Sequence, residues 1–200
     1  MLSRIGPGFS IDCRVKLSYI VQAFHFFAGD LIAKLIEDIK EKAKQLKKHI
    51  VLPDATDERA IKAARVCTDE GIASVSLVGD DDEVRSKAKQ IGTSLEKIRV
   101  IDPSKSDKLS DFSHIYFNLR KSKGIQFEEA RQTVQKPLFF GAMMVREGMA
   151  DGSVAGSLST TADVLRAGIQ MLGLAPDSTT KAGCLLCSLS RDLRRMTCAL

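Results

Sequence analysis

The segment from Ala150 to Arg166 gathers the residue types that hold an anion. Ser153 to Ala155 predict a short strand, and Gly156 lets the backbone turn closely. Ser157, Ser159, Thr160 and Thr161 then supply hydroxyls just ahead of a predicted helix. A helix N-terminus presents unpaired N–H groups and a positive dipole end, which together favour bound phosphate. Arg166 adds a permanent charge able to grip two phosphate oxygens at once. On spacing alone, ordinary N-capping by Ser or Thr with a solvated arginine accounts for the segment equally well. It is neither a Walker A loop, lacking Gly-Lys-Ser/Thr, nor a Gly-x-Gly-x-x-Gly fingerprint. A second cationic spot, Arg120 to Gly124, sits at the end of a predicted helix, where the dipole favours cations whatever the function.

Other chemistries find less support. Of the five cysteines only Cys67 lies between residues 30 and 180, on the apolar side of a predicted helix, where a thiol acts as a small hydrophobe. Cys184 and Cys187 form a C-x-x-C pair with no second pair beside it, a weak redox or zinc signal. This usage points to a reducing, cytoplasmic setting rather than a disulfide scaffold. The net charge of +5 does not mark a nucleic-acid surface. Seven cationic residues and two acidic ones fall in 1–29 and 181–200, leaving 23 of each sign between. No basic stripe with interleaved aromatics appears there. No uninterrupted apolar run approaches the roughly 20 residues a membrane span requires.

The elements that must position these residues follow from periodicity. Leu31, Ile32, Leu35, Ile36, Ile39, Ala43 and Leu46 share one face of a predicted helix, with Asp30 as its N-cap. His49 to Pro53 reads as a buried strand, and Asp54 to Asp57 as the cap of a helix carrying Ile61, Ala64 and Cys67 and stopping at Gly71. Ile72 to Val78 is the next strand. Asp80 to Glu83 open a helix to about Ile91; the acidic triplet serves the helix dipole better than a cation, whose ligands must surround a centre. Lys97 to Asp102 is a strand, and Ser110 to Lys123, Phe127 to Gln135 and Pro137 to Glu147 are helices. Met143 and Met144 fill the core. Strands alternating with helices imply βαβ units on a parallel sheet.

Four segments carry a resemblance: Val51 to Arg59, Phe117 to Gly124, Phe140 to Gly152, and Gly156 to Arg166. In this order they resemble the phosphate acetyltransferase (phosphate acetyl/butyryl transferase) family, over roughly Leu31 to Thr180. The resemblance implies a three-layer α/β sandwich with a mainly parallel sheet, isocitrate/isopropylmalate dehydrogenase-like. It implies acetyl transfer between coenzyme A and inorganic phosphate, with coenzyme A as substrate and no metal or other cofactor. Arg120 and Arg166 resemble the two family arginines that engage the phosphate-bearing substrates. Ser157, Ser159, Thr160 and Thr161 are the accompanying substrate-binding candidates.

The family's serine and aspartate, which activate the thiol, have no counterpart here, so no catalytic residue is assigned. Residues 1–29 are expected to be a non-family extension, 30–180 the N-terminal α/β domain, and 181–200 a non-family, frameshifted tail. The second domain is expected to be incomplete and the chain inactive by itself. A phosphate butyryltransferase, the similar domain of a malic enzyme, and a non-catalytic module holding coenzyme A or phosphate are the alternatives. A homodimer is expected of the full-length protein, with no membrane or nucleic-acid partner.

Overall fold

A computed structural model describes residues 34–173 of the chain. Helix α1 covers residues 34–46. Of its expected apolar face, Leu35, Ile36, Ile39 and Leu46 are exposed, and Leu31 and Ile32 lie outside the described residues. Helical period fixes which residues share a face and says nothing about what covers it. The expected extension 1–29, the tail 181–200 and the C-x-x-C pair also lie outside the described residues.

From Ala43 the chain forms one unit. Its elements are β1 (His49–Leu52), α2 (Glu58–Asp69), β2 (Ser74–Val78), α3 (Asp81–Gln90), β3 (Arg99–Ile101), α4 (Lys108–Arg120), α5 (Phe127–Val134), α6 (Pro137–Arg146), β4 (Gly152–Ser153) and α7 (Thr161–Met171). A 3-10 turn, Lys121–Lys123, extends α4. The alternation read from the sequence is present; the first three strands are shorter than expected at their ends, and β4, expected at Ser153 to Ala155, lies at Gly152–Ser153.

The four strands of the described residues pair in parallel in the order β3-β2-β1-β4. Alternation of side chains across the pleat sorts the core into two clusters. Val75 and Leu77 of β2 pack with Ile61 and Ala64 of α2 and Val84 and Ala88 of α3. Val78 and Val51 point the other way, into Phe112 and Tyr116 of α4, Ala130 and Val134 of α5, Phe140, Met143 and Met144 of α6, and Ala167 and Met171 of α7. Met143 and Met144 are core residues as the sequence implied, and Cys67 is partly buried against the α2–α3 cluster. Helices therefore flank both faces of the sheet.

The strand order explains why the faces differ. A right-handed crossover carries the chain from β1 to β2 to β3 through α2 and α3 on one face. Returning past β1 to β4 reverses the winding and puts α4 to α7 on the opposite face. The reversal lies between β1 and β4, and at such a switch point the loops leaving the strand C-termini part and open a crevice. Close packing brings α6 up to it: a Cβ added at Gly141 would meet the Val51 side chain at 3.1 Å.

Candidate functional site

Pro53 and Asp54 leave β1 at the switch point, and residues 154–159 leave the adjacent β4 there, tied by the Val154 N–H donating to the Val51 carbonyl at 2.9 Å. A cleft of about 680 Å³ opens at this end of the sheet. Its lining includes Arg120, Lys123, Lys136, Ser159, Asp163 and Arg166. Arg120 ends α4, Lys136 precedes α6, and Arg166 projects from the second turn of α7. Tyr116, Ile125, Leu138 and Phe139 supply apolar surface beside these charges.

Of the six candidates named from sequence, the cleft brings together Arg120, Arg166 and Ser159, whereas Ser157, Thr160 and Thr161 are not among its lining. Thr160 is the N-cap of α7: its Oγ1 accepts from the Asp163 amide at 3.2 Å and donates to Asp163 Oδ2 at 2.8 Å. Asp163 serves the first turn of its helix, and its Oδ1 accepts from Arg166 Nη1 at 2.5 Å. Both partners are about half exposed, so this pair contributes well under 1 kcal/mol to stability.

The hydroxyls of Ser157 and Ser159 turn toward a carboxylate from the other loop. Asp54 Oδ2 accepts from the backbone amides of Gly156 at 2.7 Å, Ser157 at 2.8 Å, Leu158 at 3.2 Å and Ser159 at 3.5 Å. Ser157 Oγ donates to the same oxygen at 3.3 Å, and Ser159 Oγ donates to Oδ1 at 2.5 Å. Convergent backbone amides of this kind form an anion-binding concavity. Gly156 enables it with φ of +110°, where a side chain would be strained. Burial pushes the Asp54 carboxyl up, but the bonds from Ser159 and from the Gly156, Leu158 and Ser157 amides together outweigh it and hold it below its ordinary value.

A second clasp lies next to the first. Asp57 N-caps α2 by accepting from the Arg59 amide at 2.8 Å and pairs with Arg59 Nη2 at 2.6 Å. The same Nη2 donates to the Ser157 carbonyl at 2.8 Å. Side-chain and backbone hydrogen bonds from Arg59 hold the Asp57 carboxyl down to about 2. By local pattern Asp54 to Asp57 are together the expected caps of α2. Only Asp57 caps; Asp54 spends its carboxylate on the loop after β4, a contact between positions 102 residues apart that local pattern cannot reveal.

Tyr116 donates to Gln170 Oε1 at 2.8 Å within the cleft lining. Burial pushes its phenol up, with Arg120 nearby opposing. At the other end of β1, Asp151 pairs with Lys48 Nζ at 2.7 Å and accepts from the His49 amide at 2.8 Å, so it fixes strand register away from the cleft. Among the described residues no group of three or more His, Cys, Asp or Glu side chains gathers as metal ligands would. Nor, among them, is any helix long and apolar enough to cross a membrane.

Residues 34–198 match the family described as phosphate acetyl/butaryl transferase. A phosphate acetyltransferase of Thermoanaerobacterium thermosaccharolyticum is 44% identical over 142 residues, covering 71% of this chain and 43% of that protein. One from Acetivibrio thermocellus is 46% identical over 141 residues, covering 70% and 42%. Among solved structures, a phosphotransacetylase from Streptococcus pyogenes superposes with a TM-score of 0.70 at 28% identity, over 74% of this chain and 45% of that one. The EutD phosphotransacetylase from Staphylococcus aureus gives a TM-score of 0.68 at 28% identity, over 74% and 44%. The chain thus spans less than half the length of these relatives.

Proposed function

Because this chain belongs to the phosphate acetyl/butyryl transferase family, we propose that it acts in reversible acetyl transfer between coenzyme A and inorganic phosphate. In that reaction a phosphate oxygen forms a bond to the thioester carbonyl carbon, the carbon–sulfur bond breaks, and the departing thiolate takes up a proton. Coenzyme A carries several phosphate charges and the second substrate is phosphate itself. The part of the work assigned to this chain is holding and orienting those anions with fixed cations, which lowers the entropic cost of bringing them together.

The observation that supports the reading best is that Arg120 and Arg166, from helices far apart in sequence, line one cleft at the switch point of the parallel sheet. Ser159 is assigned a supporting contact within the same wall. Ser157, Thr160 and Thr161 are assigned to shaping the loop rather than to meeting substrate. No metal or prosthetic group is assigned a part in this scheme.

Calorimetric titration of coenzyme A into the full chain tests the reading without relying on turnover. A hydrogen bond to a charged group contributes about 1.5–3 kcal/mol. Loss of both arginines in Arg120→Ala/Arg166→Ala is therefore expected to weaken binding at least tenfold. Equal affinity in wild type and the double variant would show that the cleft does not hold the coenzyme.

A further inference from the structure

We propose that Asp54 is a positioning residue of the cleft: an internal anion seated in the backbone concavity of residues 156–159, which sets where α7 presents Arg166. This rests on the reading that Arg166 meets coenzyme A or phosphate. Among the described residues, every hydrogen bond that the Asp54 carboxylate accepts comes from residues 156–159. Asp54 is only 7% exposed, so these bonds form where water competes poorly. The segment it grips ends one residue before Thr160, the N-cap of α7, and Arg166 follows within two helical turns. Fixing residues 156–159 therefore fixes the start, and with it the rotation, of the helix that carries Arg166.

The same concavity of amides would suit a substrate phosphate, yet Asp54 already occupies it. A carboxylate supplies the charge that four converging donors require, and it does so whether or not substrate is bound. The loop is thus preorganised before any anion arrives, and Arg166, paired on one side with Asp163, is presented toward an external one. Arg59 reinforces the arrangement from the opposite polarity by donating to the Ser157 carbonyl. An isosteric amide at Asp54 would keep one acceptor but turn an N–H₂ group toward the loop donors.

The test compares wild type, Asp54→Asn, Ser159→Ala, Arg166→Ala and Asp54→Asn/Arg166→Ala in the full chain, by amide hydrogen exchange and by coenzyme A titration. In Asp54→Asn, exchange at residues 156–159 is expected to rise at least tenfold while β1 and β2 amides stay protected. Coenzyme A affinity is expected to fall by a factor similar to that of Arg166→Ala. The double variant is expected to bind no more weakly than the weaker single one, because both changes remove one contact. Ser159→Ala loses one bond of the clasp and is expected to move both readouts in the same direction by less, which keeps the test open if Asp54→Asn fails to fold. Unchanged exchange in the Asp54 or Ser159 variant refutes the clasp. Wild-type affinity in Asp54→Asn alongside a weakened Arg166→Ala, or fully multiplicative losses in the double variant, refutes the positioning role and leaves the functional reading standing. Wild-type affinity in Arg166→Ala removes the functional reading of that arginine instead.

Discussion

On the side of the cleft built by residues 156–166, the charges are already balanced. Asp54 sits among loop amides, Asp57 holds Arg59, and Arg166 is bound to Asp163. On the side built by α4, α5 and the start of α6, Arg120, Lys123 and Lys136 form no ion pair among the described residues, and Glu129 is the carboxylate of that lining. The first side is organised at the expense of free charge; the second keeps charge in hand. An incoming polyanion should take most of its electrostatic attraction from the second side and its orientation from the first.

The largest consequence is a ranking. Arg120→Ala should weaken coenzyme A binding by about tenfold to 150-fold, the loss of one charge-assisted bond. Arg166→Ala should cost only a few-fold, since Asp163 already shares its guanidinium and must be displaced or shared again. Calorimetric titration of the two single variants in one buffer decides the order. A greater loss at Arg166 would break the contrast, showing that the balanced side supplies the attraction as well.

A smaller effect separates the two sides in acid. Folding depresses the Asp54 and Asp57 carboxyls, in the case of Asp57 from an ordinary 3.8 to about 2. A depressed value means the unfolded chain takes up protons first. The stabilisation is therefore complete above the ordinary value and is lost as pH falls through the folded one. Following backbone amide resonances while acidifying from pH 6 should show Gly156 and Leu158 responding with a midpoint below 3.8, and the Arg59 amide only near 2. Amides at the end of α4 and in the turn Lys121–Lys123, where no carboxylate clasp is found among the described residues, should not move with them. A midpoint at or above the ordinary carboxylate value for Gly156 would mean that the concavity does not hold an ionised Asp54.

This contrast also marks how far sequence could see. The alternation of short apolar runs with helical periods located every strand and helix of the described unit, because both signals are local. Gly71 stands at positive φ at the end of the helix it is expected to close. The family resemblance singled out Arg120 and Arg166, and the fold places both on one cleft. What stayed hidden depended on contacts across the chain. Nothing local distinguishes Asp54, which serves a loop on another strand, from Asp57, which caps the next helix. Likewise the apolar period of α1 was plain, while the exposure of Leu35, Ile36, Ile39 and Leu46 was not. Periodicity records a face; only tertiary structure records its cover.

The smallest prediction acts on the Asp163–Arg166 ion pair of the balanced side. Asp163→Asn leaves a polar group of the same size at the first turn of α7, where it can still bond Thr160 Oγ1, but removes the charge that Arg166 faces at 2.5 Å. It should reduce helix stability by about 0.3–1 kcal/mol, the usual worth of an acidic residue near a helix N-terminus. Against that, an anion in the cleft no longer competes with Asp163 for the guanidinium, nor meets a negative neighbour. Coenzyme A affinity should therefore rise about twofold to threefold even as the melting temperature falls, and the gain should shrink with added salt, as an exposed pair is easily screened. Opposite signs in binding and stability are the signature of a charge that restrains Arg166. If affinity and stability fall together, Asp163 holds Arg166 in its working position, and the balanced side would be organised down to its last ion pair.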